Sequence, residues 1–528
     1  MTEQRKTHDA AQGETPAKAR APLIGAGEAD RDAAGTWEPL IDWTSVFPGN
    51  RGIGRDDKYG LFDAPVGTRM EVEVGDISEP IIVSERPWEG RNQTIPVAYW
   101  EEDGRHHLLY TIYDRSAKVD RSARGLGAVR TCTCYAVSDD ADQWERPDLG
   151  MVEFEGSKAN NIIPITLHGT PFQDPTAPPK ERFRAMGQMG ENYDPDTGEV
   201  LESVEAGRRL AAMDLGGRDY TGPRLASRHW VEGWTSADGI NWEERGKVAD
   251  MPSDGGNAAQ FDSESGTYFA YIRIGGMGRR AIGFTRTDDF WHWPEPELVL
   301  APDPQDDPEV SFYGANYFRY PGRPDLHALF LHIYHQRRDH MDNQIAFSRD
   351  WTHWQRPERR AVVPAGPAGS GYQGIVRVGL TGLHSLPDGR WACLFEGRDQ
   401  LHNDDEMQQA GQIRWARWRP HRFCGVVADR EGRFTIPTVT RTRDTLRLNY
   451  CCAYGGWIEA ELISNVPSRL NPDARALPGF SFAESDRLMG DSLEGAVTWR
   501  GNPDITSAGD TVAIRLRMFQ AKVFAYSV

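Results

Sequence analysis

The sequence has no long apolar run and few cysteines. Its 528 residues contain no stretch of 18 apolar residues, so no transmembrane helix is predicted. The six cysteines include no CxxC pair and no Cys/His spacing typical of zinc sites, so we expect no metal and a reducing, cytoplasmic location. The net charge of −18, without a clustered basic patch, argues against nucleic-acid and anionic-membrane partners.

A helical repeat and a signal peptide are also missing. No long stretch keeps a 3.6-residue period, so we predict an all-β chain. Residues 1–35 lack an apolar core and predict a disordered leader rather than a targeting signal. Aromatic residues, in contrast, make up 10% of the chain, and 17 of them are tryptophan. Rings of this kind pack between sheets or stack on the faces of sugars.

One short motif, [ST]-x-D-x-x-x-W, occurs four times at intervals of about 50 to 100 residues. Each copy follows a run that is typical of a β-strand, and the copies begin at Ser138, Ser236, Thr287 and Ser348. A signature repeated at this period predicts a β-propeller with one copy per blade. The Ser or Thr and the Asp can bond the N–H groups of a tight turn, while the Trp packs between blades. We therefore predict that the motif is scaffold.

The strand pattern predicts five blades within residues 36–428, the fifth of them without the motif. The segment 37–80 is expected to lie over the propeller and to supply one strand that helps to close the ring. Short strands with Gly and Pro turns predict a C-terminal β-sandwich over residues 429–528. The predicted fold is therefore all-β, a five-bladed β-propeller followed by a C-terminal β-sandwich.

Polar residues at the start of each blade's inner strand are the candidates for function, because these positions gather at one mouth of the central tunnel. Three carboxylates from different blades occupy such positions: Glu89, Asp254 and Glu309. In glycosidic cleavage one carboxyl protonates the leaving oxygen and another activates water or attacks the anomeric carbon, while a third can tune the acid's pKa. We expect the substrate to be bound by Trp88, Arg91, His168, Asp174, Asn257, Tyr313, Tyr372, Gln373, Arg377 and Glu396.

The repeated motif, the acids at the inner rim and the trailing β-domain resemble the five-bladed glycoside hydrolases of the family 32 and family 43 superfamily, over residues 80–528. The resemblance implies cleavage of a furanoside or small oligosaccharide. It also implies that Asp254 stabilises the transition state or tunes the acid, and that Glu309 is the acid. Glu89 stands where the family has an Asp, and the family's W-x-N-D-P-N-G and R-D-P motifs are absent.

Two other functions stay open. A non-catalytic carbohydrate-binding propeller would keep Trp88, Tyr313 and Tyr372 as platforms without matched acids. A sugar transferase, lyase or isomerase on the same scaffold would show a Tyr, His or Lys base at the mouth instead of an acid pair. In each case the partner is a small carbohydrate, no cofactor is expected, and a homo-oligomer is compatible with the sequence.

If Glu309 is the proton donor, the variant Glu309→Gln will abolish turnover and keep sugar binding, because the amide cannot donate the catalytic proton. The measurement is turnover of furanoside and pyranoside oligosaccharides by purified protein, beside a binding assay. Full activity in the variant would refute the assignment.

Overall fold

The computed structural model describes residues 37–528 except 54–57, 91, 115–129, 168, 203–204, 207, 210–211, 214–220, 252–255, 277, 404–409 and 469–473. The described residues are almost entirely strands and turns, which confirms the all-β prediction. Short 3₁₀ helices lie at Trp43–Ser45, Pro179–Glu181 and Thr506–Ala508, and a few helical residues lie within 205–213. In the described part of the chain, no helix has the length and apolarity that a membrane crossing requires.

The first described segment forms six short strands, most of which join sheets built from later parts of the chain. Only the second and third of them pair with each other, as a hairpin. The other four add to distant sheets, so this segment ties the two ends of the chain together. The strands are β1 (Glu38–Pro39), β2 (Asn50–Ile53), β3 (Tyr59–Phe62), β4 (Arg69–Val72), β5 (Asp76–Ile77) and β6 (Ile82–Val83).

Three four-stranded antiparallel sheets follow, and in each the strands are hydrogen-bonded in chain order. Successive residues along a strand, such as Leu108, Leu109 and Tyr110, are all fully buried, so both faces of the sheet are covered. Sheet I contains β7 (Asn92–Glu102), β8 (Arg105–Asp114), β9 (Arg130–Ser138) and β10 (Trp144–Glu145). Sheet II contains β11 (Gly169–Gln173), β12 (Phe183–Tyr193), β13 (Ala226–Ser236) and β14 (Trp242–Ala249). Sheet III contains β15 (Ala258–Asp262), β16 (Thr267–Gly276), β17 (Arg279–Thr287) and β18 (Glu297–Leu300).

Sheet IV has nine strands and covers the region predicted as two blades. Its two antiparallel groups are joined by one parallel register pair between Met341 and Ile375. Strands β5 and β6 pair with its last strand, which confirms that the N-terminal segment supplies a strand there. The new strands are β19 (Val310–Arg319), β20 (His327–His335), β21 (His340–Ser348), β22 (Ile375–Val378), β23 (His384–Ser385), β24 (Trp391–Arg398) and β25 (Gln412–Trp418).

Apolar clusters fill the spaces between consecutive sheets. Sheet I packs on sheet II through Trp100 and Phe183, and sheet II packs on sheet III through Phe172 and Phe261. Sheet III packs on sheet IV through Phe269 and Phe312. Sheet I also packs on the last strands of sheet IV, through Tyr110 and Trp415. Edge-to-face ring pairs are part of this packing, such as Trp100 and Phe183 at 5.3 Å between centroids. Because sheet I packs on the last strands of sheet IV, the sheets follow one another around a closed circle.

Each copy of the repeated motif forms a turn at the end of the third strand of its group. Asp238 Oδ1 accepts hydrogen bonds from the backbone N–H groups of Ile240 at 2.9 Å and Asn241 at 2.7 Å. The N–H of Asp238 donates to Ser236 Oγ at 3.2 Å, and Trp242 Nε1 donates to a carbonyl of the turn at 2.7 Å. Bonds of the same kind form in the copies that begin at Ser138, Thr287 and Ser348.

The tryptophans of the motif pack into the clusters between sheets, as predicted. They are Trp144, Trp242, Trp293 and Trp354. The residue after the Asp has a left-handed φ at Ala141, Gly239 and Trp351, which allows the chain to reverse within the turn. The prediction that the motif is scaffold is therefore confirmed.

The C-terminal strands form one six-stranded sheet, sheet V, whereas the sequence predicts a sandwich of two sheets. In hydrogen-bonded order its strands are β28 (Asp491–Ala496), β27 (Arg447–Ile463), β29 (Thr511–Ser527), β26 (Cys424–Thr440) and β4, with β1 added on β29. The sequence suggests many short strands because register shifts interrupt the long pairing of β27 and β29, for example between Cys452 and Trp457.

Sheet V is continuous with the body of the protein. The predicted boundary after residue 428 falls inside β26 (Cys424–Thr440). One apolar cluster contains Leu448 and Ile458 of sheet V together with Trp418 of sheet IV and the adjacent Phe423. The C-terminal part therefore packs on the last strands of sheet IV.

The variant Asp238→Ala will lower the free energy of unfolding by about 1–2 kcal/mol, because two backbone N–H groups and the Asn241 side chain lose their acceptor. Urea unfolding measures the change. The matched control is Glu243→Ala, an exposed change on β14 for which we expect less than about 0.5 kcal/mol. Equal stability of the two variants would contradict the role assigned to the turn.

Candidate functional site

Glu89, one of the three predicted acids, is a fully buried structural anchor. Its carboxylate accepts hydrogen bonds from the Tyr110 hydroxyl at 2.7 Å and from the backbone N–H groups of Glu85 and Arg86 at 3.0 Å each. Arg146 completes the set with an ion pair at 3.0 Å. Both carboxylate oxygens are thus engaged by protein donors, which does not favour the predicted catalytic role.

Glu309 fastens the turn between β20 and β21. Its Oε2 accepts from the backbone N–H of Arg337 at 2.9 Å, and its Oε1 pairs with Arg338 Nε at 3.0 Å. The Glu309 side chain is almost completely buried, whereas the side chain of Arg338 is exposed. One of its oxygens is therefore held by a partner that solvent can reach, so Glu309 is less enclosed than Glu89.

Asp174 lies at the end of β11 opposite to the predicted tunnel mouth, and it joins sheets II and III. It accepts from the Thr176 backbone N–H at 2.8 Å and from the Tyr268 hydroxyl at 2.6 Å, and it pairs with Arg184 at 3.1 Å. Both Asp174 oxygens are thus engaged by protein donors, which does not favour the predicted role in substrate binding.

Several other candidates have packing roles or lie outside the described residues. Trp88 Nε1 donates to Asn161 Oδ1 at 2.7 Å and its ring packs edge-on against Phe154, so it is not a free platform. Asn257 is fully buried, and its carbonyl accepts from Thr170 Oγ1 at 2.9 Å. Outside the described residues lie Arg91, His168 and Asp254.

Two predicted residues, Arg377 and Glu396, meet inside sheet IV. They are register partners on β22 and β24, so their side chains share one face. Arg377 Nη2 donates to Glu396 Oε2 at 2.5 Å and to Gln93 Oε1 of β7 at 3.3 Å. Arg398 Nε lies 3.8 Å from Glu396 Oε1. Glu396 has no exposed surface, so two guanidinium groups offset a fully buried carboxylate.

Tyr113 of β8 belongs to the same cluster. Burial raises the pKa of the Tyr113 hydroxyl, the positive charge of Arg377 opposes that rise, and the negative charge of Glu396 adds to it. A raised pKa means that Tyr113 keeps its proton at neutral pH and can donate it as a hydrogen bond. The sequence analysis did not single out Tyr113, because it looks like one more apolar residue of a buried strand.

A second group of side chains surrounds Tyr313 at the start of β19. His402 Nε2 and the Tyr313 hydroxyl are 2.8 Å apart. The Arg273 guanidinium lies 4.1 Å from the centroid of the Tyr313 ring and donates to the Tyr313 carbonyl at 2.9 Å, while Arg280 lies 5.1 Å from the same ring. This group contributes a hydroxyl, an imidazole and two cations.

The two groups influence each other electrostatically. Burial lowers the pKa of His402 to about 4, and the charges of Arg398 and Arg377 lower it further against the opposing effect of Asn403. Burial likewise lowers the pKa of His332 to about 3, with Arg377 and Arg273 adding to the effect. Both imidazoles are therefore neutral at physiological pH. Arg377 lies near enough to lower the pKa of both imidazoles, so we consider the two groups together and call them the arginine cluster.

Tyr372 and Gln373 lie on the loop that leads into β22. Asp399 Oδ1 accepts from the backbone N–H groups of Gly371 at 2.8 Å and Gln373 at 3.0 Å, so the loop is fixed next to β24. The Tyr372 ring packs on Phe395 at 6.0 Å. These two predicted residues therefore border the arginine cluster without entering its described hydrogen bonds.

The members of the cluster share one end of the sheets. Arg377 and Tyr313 lie near the starts of the first strands of their groups, and Arg273, Tyr113 and Glu396 lie near the ends of the second strands. In antiparallel pairs these positions coincide. The missed members Arg398 and Arg273 could have been found from one signal, a charged residue inside an otherwise apolar run. Examples are Phe395-Glu396-Gly397-Arg398 and Tyr271-Ile272-Arg273.

Comparisons with known proteins give structural but not sequence similarity. No protein-family model and no curated protein matches the sequence. Solved glycoside hydrolases are similar to this chain. They include a thermostable family-43 glycoside hydrolase (12% identity, 65% of this chain and 91% of that one, TM-score 0.38) and a glycosyl hydrolase from Bacteroides ovatus (14%, 67% and 94%, 0.39).

A third similar structure comes from the GH130 family of mannoside phosphorylases, which contains glycoside hydrolases that target β-1,2-mannosidic linkages in Candida mannan (14% identity, 72% of this chain and 97% of that one, TM-score 0.38). Similarities at this identity and with TM-scores below 0.5 do not determine a reaction. The function of this chain must therefore be inferred from its own side chains.

A cavity of about 580 Å³ lies away from the arginine cluster, beside sheet V. Two of its three lining arginines, Arg515 and Arg517, form ion pairs within the protein, and the third is the exposed Arg433. Arg515 pairs with Asp63 at 2.7 Å and with Glu461 at 2.8 Å, and Arg517 pairs with Glu459. Among the described side chains of this lining, no nucleophile or base lies beside an unpaired charge. The arginine cluster is therefore the better candidate for the functional site.

The variant Arg377→Met will lower the free energy of unfolding by about 3 kcal/mol, because it leaves Glu396 buried with only the more distant Arg398 as a counter-charge. Urea unfolding checks this value. Adding Glu396→Gln should recover part of the loss, since the uncompensated charge is removed. Arg390→Met is the control, because Arg390 pairs with the partly exposed Asp388 and should cost less than about 1 kcal/mol.

Proposed function

We propose that this chain is a carbohydrate-active enzyme that cleaves a glycosidic bond at the arginine cluster. The observation that carries the proposal is the fully buried Glu396, held by Arg377 through one oxygen. Its other oxygen, Oε1, is buried and has no hydrogen-bond partner among the described residues. Buried polar atoms rarely lack a partner, so we infer that a ligand supplies the missing partner of Glu396 Oε1.

The cations of the cluster suggest that the sugar is acidic. Arg377, Arg398, Arg273 and Arg280 approach the same end of the sheets, and guanidinium groups bind carboxylate, sulfate or phosphate oxygens in a bidentate manner. The chain as a whole carries a net charge of −18, so this cationic centre stands out against an acidic surface. Such local potentials concentrate anionic ligands.

The proposed chemistry assigns one role to each group. Glu396 Oε1 acts on the anomeric carbon or on a water molecule, as a carboxylate does in glycosidic cleavage. The protonated Tyr113 hydroxyl gives its proton to the leaving oxygen as the bond to the anomeric carbon breaks, and Tyr113 regains a proton from water after the product leaves. Arg377 and Arg398 hold Glu396 in place, while Arg273 and Arg280 bind the acidic group of the sugar.

A lyase is the second candidate, and the pair Tyr313 and His402 favours it. Elimination from an acidic sugar needs a base beside the carbon that loses its proton and cations that neutralise the sugar's carboxylate. His402 is neutral at physiological pH and hydrogen-bonds the Tyr313 hydroxyl, while Arg273 and Arg280 lie against the same ring. His402 and Tyr313 would then be the His or Tyr base that the sequence analysis expects at the tunnel mouth of a lyase, instead of two carboxyl groups.

The remaining features of the proposal follow from the sequence. The four sheets I to IV form a five-bladed β-propeller, with two of the blades in the nine-stranded sheet IV. The substrate is a small carbohydrate, and neither nucleic acid nor membrane is a partner. The protein acts in the cytoplasm.

Glu396→Gln will lower kcat/KM on uronate-containing oligosaccharides by about 100-fold or more, because the amide cannot act as nucleophile or base. The assay compares uronate-containing with neutral furanoside and pyranoside oligosaccharides. Glu309→Gln is the matched carboxylate control. Both Glu309 oxygens are held by Arg337 and Arg338, so, in contrast to the expectation from the sequence, we expect this variant to stay within a few-fold of the unmodified protein.

Each outcome of this experiment decides between functions. Loss of activity in Glu309→Gln with full activity in Glu396→Gln would contradict the proposed centre. An unsaturated, ultraviolet-absorbing product would identify the lyase instead of the hydrolase. Saturable binding without any product would identify a non-catalytic carbohydrate-binding protein.

A further inference from the structure

Three potential metal ligands share one face of the hairpin formed by β20 and β21. His335 and His340 are direct register partners, and Asp342 lies two residues beyond His340 on β21. Side chains of register partners point to the same face, as do residues two apart on one strand. The sequence alone does not reveal this set, since the spacing of the histidines along the chain shows no metal signature.

The side chains are close enough to share one ion. The two imidazole rings are parallel within 7°, with centroids 4.3 Å apart. His335 Nε2 lies 3.0 Å from Asp342 Oδ2, and one ligand atom from each of the three residues lies within 4.8 Å of the others. All three side chains are partly buried, so they have fewer competing contacts with water than surface residues.

Two polar atoms of the group are buried without a hydrogen bond. They are His335 Nδ1 and Asp342 Oδ1, neither of which has a partner among the described residues. Leaving such an atom without a hydrogen bond costs about 1–3 kcal/mol, so we expect a bound group to contact both atoms. A bound cation would take up lone pairs of this kind.

The ligand chemistry selects the class of cation. Two imidazoles with one carboxylate suit borderline transition ions such as Zn²⁺, whereas Ca²⁺ and Mg²⁺ prefer oxygen ligands.

We propose that His335, His340 and Asp342 bind a divalent transition cation of the Zn²⁺ class across the β20–β21 hairpin. With three protein ligands, the fourth tetrahedral position is left to water or to an exchangeable group. This site lies outside the contacts assigned to Glu396 and does not depend on the proposed reaction.

The proposed cation would also hold the β20–β21 turn, which contacts the loop that contains His402 of the arginine cluster. Asp339, in the turn of the same hairpin, accepts from the His402 backbone N–H at 2.9 Å and from the Asn403 backbone N–H at 2.7 Å. A cation that joins β20 to β21 would therefore hold the turn against which the His402 loop is placed.

The test uses the full chain without a histidine tag, freed of metal by a chelator. Zn²⁺ is titrated by calorimetry, and the metal retained after dialysis is counted by mass spectrometry. We expect one Zn²⁺ per chain and a rise in Tm, because a ligand that binds only the folded state stabilises it. Absence of stoichiometric binding would overturn the proposal.

The variants separate this site from other Zn²⁺-binding groups. His340→Ala and Asp342→Asn should each weaken binding by about tenfold or more. His340→Gln keeps a side chain of similar size, so it replaces His340→Ala if loss of the stacked ring unfolds the hairpin. His353→Ala is the control, because His353 and Asp350 form an exposed His–Asp pair at 2.6 Å without a third ligand. Equal affinity in His340→Gln and the unmodified protein would also overturn the proposal.

Discussion

The buried ion pair of Arg377 and Glu396 is the interaction on which the candidate site depends. Glu396 lies in β24 directly after Leu394 and Phe395, which are fully buried like Glu396 itself. A hydrophobic pair of similar size would pack there at no electrostatic cost, and buried ion pairs often stabilise a protein less than such a replacement. A fold that keeps a carboxylate between guanidinium groups in a core strand gains little stability from it, so ligand recognition is the better reason for its presence.

The scaffold could be predicted from the sequence because its signal is local. Ser236, Asp238 and Trp242 make their hydrogen bonds within seven consecutive residues, so the spacing alone specifies the turn. The single sheet at the C-terminus could not be predicted in the same way. Strands of 17 residues such as β27 and β29 contain irregularities that break their pattern into apparent short strands.

The site was less predictable because burial and pairing are properties of the whole fold. Glu89, Glu309 and Asp174 occupy plausible positions, yet their partners are tyrosine hydroxyls, arginines and backbone N–H groups that are not visible in their own segments. Arg377 and Glu396 were among the predicted substrate-binding residues, but only the register of β22 with β24 joins them. The missed residues Tyr113 and Arg273 are dispersed along other strands, where a single polar group in an apolar run has no partner nearby in sequence.

The two candidate reactions use the same arginines differently. In hydrolysis at Glu396, Arg377 must hold the carboxylate without blocking Oε1, and the contact through Oε2 satisfies this condition. In elimination, the cations must instead lie against the carboxylate of the sugar, and Arg273 and Arg280 are placed around Tyr313 rather than around Glu396. The cluster thus contains two kinds of arginine: Arg377, which positions the carboxylate, and Arg273 and Arg280, which lie against the Tyr313 ring. Hydrolysis of an acidic sugar uses both kinds, whereas elimination leaves the Arg377–Glu396 pair without a chemical role, which is why hydrolysis is the preferred function.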